Sequence, residues 1–232
     1  MRATEKATIA AGLAMMLATS CSISMEPADH VPADKQKEKT IVFDKAAKGI
    51  SVYAKDISMH LSAGDTFAVR VTGYGMDVEG LQVVRDSEKG GGHVSITRCR
   101  RCLNGLEAPM DIYVTSPEFR ALSFHQSGVK LDNLTPLEAK ELKLDCRYRK
   151  KSAYATETPG ARVLLRDVKC DELEIRCDTK SDVRVEGVEA KRRIRIEATK
   201  EATVSMTGQT DTLIVESDST CRLDMTGLEN KN

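Results

Sequence analysis

Between Leu173 and Leu228 one short pattern occurs three times, and it constrains the fold more than any other stretch of the chain. Leu173-x-Ile175 is followed by Val183-x-Val185-x-Gly187. The pattern returns as Ile194-x-Ile196 with Val204-x-Met206-x-Gly208, and again as Leu213-x-Val215 with Leu223-x-Met225-x-Gly227. Successive copies open at Leu173, Ile194 and Leu213. Apolar positions that alternate with polar ones read as strands with one buried face. A fixed period of about 20 residues marks a repeat whose copies bury their apolar faces against one another. The expected fold is therefore all-β, a solenoid-like stack of rungs.

The same pattern extends backwards with one interruption. Leu142-x-Leu144 opens an earlier copy, but its second pair, Val163-x-Leu165, arrives about twice as far on as the second pairs of later copies. An insertion of about 11 residues within 151–162 accounts for the offset, since repeats accept extra residues in their loops. It places Asp167 where later copies carry Gly187, Gly208 and Gly227. Leu122-x-Phe124 with Val129-x-Leu131 is a shorter copy before it, for five rungs in all. Residues at equal offsets in stacked parallel strands lie ~4.8 Å apart, which permits a check within the sequence. Lys143, Glu174 and Arg195 fall in one outward column, Asp145, Arg176 and Glu197 in the next. Arg162 then meets Asp182, and Arg166 meets Glu186. Opposite charges on neighbouring strands support that register; Glu197 beside Glu216 is the exception. Cys146 and Cys177 share a narrow inward column with Ala198 and Ser217, as two buried thiols or as a disulfide between rungs.

From Thr40 onward the chain reads as short strands: 40–43, 50–54, 57–61, 67–72, 81–84, 94–97 and 112–114. Ser62-Ala63-Gly64-Asp65 is a turn signal expected to join two of them as a hairpin. Aromatics are only 4% of the chain and Trp is absent, which suits a thin interior of Leu, Ile, Val and Met.

The N-terminus carries an export signal. Arg2 and Lys6 precede an apolar run from Ala7 to Ala18, followed by Thr19-Ser20-Cys21. The run is shorter than the ~20 apolar residues of a membrane span. A Cys directly after small residues reads as the acylated first residue of a bacterial lipoprotein, although ordinary cleavage after Ala18-x-Ser20 would give a soluble secreted protein. The division expected is a signal over 1–20, a polar tether over 21–39, an N-terminal β region over 40–120 and the repeats over 121–232. Cys99-Arg100-Arg101-Cys102 reads in an exported protein as a disulfide or two free thiols, with pairing to another Cys or half a metal site as alternatives.

Chemistry is sparse. Thirty-five basic and 35 acidic residues give zero formal charge, so nothing favours nucleic acid. His30, His60, His93 and His125 lie apart, without metal spacing. No nucleophile elbow and no glycine loop opening a helix is present. Asp167, Asp171, Asp178 and Asp182 could assemble a glycan-cleaving cleft only if they converge on one face. The expectation is no catalytic residue, no metal and no cofactor. Recognition is assigned to the insertion, with Tyr154, Thr158 and Arg162 as its candidates.

A family resemblance supports this reading. Ile57…Leu61-Ser-Ala-Gly64-Asp65-x-Phe67-x-Val69-x-Val71 is followed by Ile112-x-Val114-x-x-Pro117-x-Phe119-x-x-Leu122-x-Phe124-x-x-Ser127-Gly128 and the rungs. Over about 48–228 this resembles the bacterial putative auto-transporter adhesin head domain (GIN) family. The resemblance implies a right-handed parallel β-helix or solenoid-like stack preceded by a strand-rich part. The family's Ser-Gly-x-Gly turns survive here only as Ser127-Gly128; later turns read Asp178-Thr-Lys-Ser181 and Asp218-Ser-Thr-Cys221. The function expected is a non-catalytic adhesion or binding module of the cell envelope, an outer-membrane lipoprotein held through Cys21. Its expected partners are the membrane, an extracellular glycan or protein, and a second copy of the chain. The alternatives are a carbohydrate-active enzyme on a β-helix and an envelope assembly component that self-associates through its last rung.

Overall fold

Strand residues alternate between interior and solvent wherever the apolar pattern alternates, and the rungs stack through those interior positions. The structure, a computed structural model, describes residues 36–86, 92–98, 109–126, 128–148 and 160–231. Cys21, the Cys99/Cys102 pair, Tyr154 and Thr158 lie outside these residues. So do the signal and all of the tether before Gln36.

Three parallel ladders make up the stack. The first runs through β6 (His93–Arg98), β2 (Gly49–Tyr53), β8 (Ala121–Phe124), the second half of β10 (Leu137–Cys146), the second half of β12 (Val168–Cys177), the end of β13 (Asp182–Ala198) and β15 (Leu213–Ser217). Its inward column is Val94, Ile50, Leu122, Leu144, Ile175, Ile196 and Val215. The second ladder runs through β7 (Met110–Ser116), β3 (Ile57–Ala63), β9 (Lys130–Asn133), β11 (Arg162–Arg166), and the starts of β13, β14 (Thr203–Thr210) and β16 (Arg222–Asn230). Its column is Ile112, Met59, Leu131, Val163, Val183, Val204 and Leu223. A third, shorter ladder joins the starts of β10 and β12, the middle of β13 and the ends of β14 and β16, with Ala139, Cys170, Ala190, Thr210 and Asn230 in register. Because β13 passes through all three ladders, sixteen strands form one continuous sheet folded around a single core.

Burial of an aliphatic side chain contributes about 1.5–3 kcal/mol, and these columns are long. Val52, Met59, Ile112, Leu142, Ile175, Ile196 and Val204 are at most 1% exposed. The interior narrows at Cys146, Cys177 and Ala198, which stack in register. Both cysteines are free thiols, so the disulfide alternative is not adopted.

Spatial order departs from chain order at the N-terminal end. The β2–β3 rung lies between the β8–β9 rung and the β6–β7 rung, although β6 and β7 come later in the chain than β3. Among the described residues seven rungs therefore stack: the five expected over 121–232, and two from the 40–120 stretch that the sequence period does not reveal because they do not follow their neighbours directly in the chain. Strands of the 40–120 stretch thus share the ladders of the repeats. The antiparallel strands complete this end: β5 (Leu81–Asp86) pairs with β6, β4 (Phe67–Tyr74) with β7, and β1 (Gln36–Phe43) with β4. β1 begins at Gln36, ahead of the expected Thr40 and inside the stretch read as tether. The turn at Ser62–Asp65 is present, but it does not form a hairpin. Both edges of β3 are occupied, by β7 and β9, so β4 pairs across β7 instead. A short helix, α1 (Gly75–Gly80), links β4 to β5 and is pinned by a buried ion pair, Arg98 to Asp77 at 2.6 Å.

Corner chemistry follows from the tightness of each turn. Asp167, at the expected glycine position, adopts φ 52°, beside Gly187 at 72° and Gly208 at 129°. Asp tolerates this left-handed region better than other residues with a Cβ. At the corner between the first and second ladders, Thr179 and Lys180 have φ 50° and 56°, and Ser181 N–H donates to the Asp178 carbonyl at 3.1 Å. Two successive left-handed residues inside such a bond define a type I′ turn. Lys200 and Glu201 repeat it one rung on. Asn133 is buried at a second-ladder corner, donating to Thr135 O and Arg166 O and accepting from Arg166 N–H, each at 2.7 Å.

Candidate functional site

Outward side chains on stacked strands are forced into contact, so their charges report on what each face must satisfy by itself. Along most of the stack the signs alternate as expected. Lys143 pairs with Glu174 at 3.7 Å, Arg176 with Glu197 at 3.4 Å, Arg166 with Glu186 at 3.4 Å and Lys169 with Glu189 at 3.8 Å. Like-signed neighbours are compensated. Glu197 stands beside Glu216, yet Arg176 holds the first and Arg195 holds the second at 2.8 Å. Glu141 stands beside Glu172, which Arg192 and Arg193 hold at 3.0 and 2.7 Å, while Arg120 faces Glu141.

The outer face of the second ladder breaks this pattern. Register places Ser58, Lys130, Arg162 and Asp182 in one column, and His60, Asp132, Leu164 and Arg184 in the next. Lys130 and Arg162 are direct neighbours of like sign. Among the described residues no carboxylate lies within ion-pair distance of either. Asp182 stands beside Arg162 in register, as expected, but its carboxylate is engaged by Arg184 at 3.2 Å. The two columns line a hollow of about 320 Å³. Leu164, half-buried although it faces outward, contributes apolar surface to it.

One end of the hollow is rigid. His60 Nδ1 lies 2.6 Å from Asp132 Oδ1, and its Nε2 lies 3.8 Å from Asp111. The imidazole stacks on Tyr113 with centroids 4.8 Å apart, and the Arg70 guanidinium covers the same tyrosine at 4.3 Å. Tyr113 is thereby occupied, while Asp132, with one oxygen on His60, also lines the hollow. The chemistry available is two cations beside an aliphatic surface, with carboxylates of Asp132 and Asp182 as acceptors on either side.

A larger groove of about 810 Å³ follows the third ladder. There Lys140, Asp171, Lys191, Asp211 and Lys231 recur at equal offsets, next to Glu138, Lys169, Glu189, Gln209 and Glu229. Signs alternate along the first column and from Glu138 to Glu189 in the second, where neutral Gln209 separates Glu189 from Glu229, and Lys191 reaches Asp171 at 3.9 Å. This face satisfies itself. Its floor includes the Cys170 thiol, which burial pushes up to about 11.

Of the recognition residues read from the insertion, Arg162 lies on the hollow. Asp167, Asp171, Asp178 and Asp182 do not converge. Asp167 occupies the corner after β11, Asp171 lines the third-ladder groove, Asp182 lies on the hollow, and Asp178 is buried in a turn. Asp178 there accepts from Tyr148 N–H at 2.8 Å and from Lys200 Nζ at 3.2 Å. His93 bonds to Ser51 at 2.6 Å and His125 stacks on Tyr53 at 4.7 Å. His60, Lys130, Asp132 and Leu164 were not singled out from sequence. The available signal was the outward Leu164, an apolar residue between two arginines in a strand that alternates.

The described residues form an all-β sheet folded around one core, with charged outer faces and a hollow lined by both cations and carboxylates. The chain belongs to the family described as putative auto-transporter adhesin, head GIN domain, whose pattern matches residues 48–232. A putative adhesin from Bacteroides fragilis superposes with TM-score 0.53 at 13% identity, over 81% of this chain and 93% of that chain. A putative adhesin from Parabacteroides distasonis gives TM-score 0.46 at 9% identity, over 84% and 95%. A putative lipid binding protein of that organism gives 0.46 at 11%, over 86% and 98%. At 13% identity the likeness to the Bacteroides fragilis protein is one of fold alone. No curated protein matches the chain.

Proposed function

We propose that this protein is a non-catalytic binding or adhesion module of the cell envelope that makes contact through the hollow on the second ladder. The observation that carries the reading is the like-signed pair Lys130 and Arg162, which among the described residues has no carboxylate within ion-pair distance, in a stack where the other like-signed neighbours described above have counter-charges. Membership of an adhesin-like family supports an envelope or surface location. The finer parts of the reading rest on the sequence: export by the signal over 1–20, acylation of Cys21, and suspension of the domain from the outer membrane on a tether. Right-handed winding of the rungs belongs to the same reading. Its partners are the membrane through the lipid and an extracellular glycan or protein.

Intact cells expressing the full-length wild type or Cys21→Ala, labelled with palmitate and treated with protease, test this directly. The wild type takes up label and is shaved from the surface, whereas Cys21→Ala is unlabelled and released. Unlabelled wild-type protein, or a labelled protein that external protease never reaches, would remove external adhesion from consideration.

One observation favours a second reading, an envelope assembly component. In the last rung β15 and β16 each hydrogen-bond on one side only, and the interior column surfaces there: Val215 is 39% exposed where Ile196 is 0%. An open edge invites another strand, and here a second copy would continue the stack. Sedimentation at rising concentration tests it; a monomer throughout, unchanged by Val215→Lys, counts against self-association.

A further inference from the structure

We infer that the hollow on the second ladder recognises an acidic sugar, a residue of a uronate-containing or sulfated polysaccharide. This rests on the reading of the hollow as the contact surface and adds to it the ligand's chemistry. Lys130 and Arg162 project from adjacent strands whose backbones lie ~4.8 Å apart, and like charges directly opposite one another oppose that pairing. At the other like-signed neighbours described above the chain supplies a counter-charge, whereas among the described residues neither Lys130 nor Arg162 has a carboxylate within ion-pair distance, Asp182 being held by Arg184. A bound anion restores the alternation. Arg162 offers a planar fork that grips a carboxylate or sulfate through two N–H donors, and Lys130 adds a mobile point charge.

The other walls select against a purely anionic partner. Asp132 and Asp182 flank the cations on the same face. A segment dense in Asp or Glu would place its charges against these carboxylates. A sugar ring brings one acid group for Lys130 and Arg162, and hydroxyls that donate to Asp132 and Asp182. Leu164 meets the apolar C–H face of the ring. The His60–Asp132 bond and the Tyr113 stack hold one acceptor in place before any ligand arrives, which lowers the ordering cost of binding. A hollow of about 320 Å³ falls at the small end of ligand pockets.

The test is titration calorimetry of the full-length protein in detergent, at fixed low salt. The probes are oligogalacturonate, its carboxyl-reduced counterpart, chondroitin sulfate before and after desulfation, and poly-glutamate. Acidic oligosaccharide binds, with affinity falling as salt rises. The Lys130→Gln/Arg162→Gln variant weakens it at least about tenfold, the loss of one charge-assisted contact. Both residues are exposed, and relieving their repulsion leaves the melting temperature of the variant unchanged or slightly higher. Loss on carboxyl reduction identifies the uronate, and loss on desulfation alone identifies the sulfate ester. Equal binding of the reduced oligomer, equal binding of poly-glutamate, or full affinity in the double variant would overturn the inference. Adherence of intact cells to a host-cell layer, measured for the same variants, separates the two levels. Adherence that persists without any acidic-sugar binding refutes this ligand class and leaves the adhesion reading standing. Absence of both in the wild-type protein refutes both.

Discussion

Replacing Asn133 by leucine should destabilise the protein, although it puts an aliphatic side chain into a buried position of an apolar column. Burying the leucine contributes about 1.5–3 kcal/mol. Against this stand three hydrogen bonds of 2.7 Å, with Thr135 O, Arg166 O and Arg166 N–H. Each is worth about 1 kcal/mol net, and each backbone group left buried without a partner costs about 1–3 kcal/mol more. The balance is a loss of at least about 3 kcal/mol. Asn133→Asp keeps an acceptor for the Arg166 N–H and loses both donors, so it should fall by a comparable amount. Denaturant titration gives the global change, and amide exchange at Arg166 gives the local one, which matters in a stack where rungs can open separately. Exchange at Arg166 should accelerate in Asn133→Leu while that of Ile196 follows only the global loss. A leucine variant as stable as wild type, with Arg166 still protected, would refute the idea that this corner is held by its amide.

Turn chemistry makes opposite demands at two corners. Thr179→Gly relieves a β-branched residue held at φ 50° and should stabilise by up to about 1 kcal/mol. Gly208→Ala should prevent the third ladder from closing, because its Cβ would lie 2.8 Å from the Val188 carbonyl carbon at φ 129°; loss of the cooperative thermal transition is the readout. Arg98→Met leaves Asp77 as a buried, unpaired carboxylate and should cost about 3–5 kcal/mol by denaturant titration, most of it regained in Arg98→Met/Asp77→Leu. At alkaline pH the thiols dominate. Burial pushes Cys177 up to about 12 and Cys170 to about 11, from an ordinary 9.0. The unfolded chain therefore loses these protons first, so stability is intact below pH 9 and declines between about 9 and 12. The slope is about 1.4 kcal/mol per pH unit for each thiol, and Cys177→Ala should flatten it by one thiol's share in a pH series of melts.

The rungs from Leu142 onward were legible because each follows its neighbour in the chain, so period and register coincide. Val163 pairs with Val183 and Leu131 across the insertion, as the alternation and the glycine-equivalent Asp167 require. The third ladder was present as Val168, Val188 and Leu228, each directly after a corner residue, but so short a run cannot show alternation. The hollow was not legible. It requires His60 to lie beside Asp132, a neighbour 72 residues away, and nothing periodic relates β3 to β9. Arg162 was identified from the insertion it borders, and its significance came from register, which put Lys130 beside it and turned Asp182 towards Arg184.

The displaced β2–β3 rung also dictates how such a chain can assemble. The C-terminal rungs close loops of about 20 residues. In contrast, the partners of β2 and β3 all come later in the chain: β6 and β7 first, then β8 and β9, 72 residues further on, where the added closure cost is about 1 kcal/mol. The rung is enclosed only when β8 and β9 are laid on its far side. A chain delivered N-terminus first therefore presents its earliest strands long before their neighbours exist. Until β6 and β7 emerge, the strands that carry Ile50, Val52, Met59 and Leu61 have no ladder partner. The interval between their arrival and their burial is when this protein most needs a chaperone.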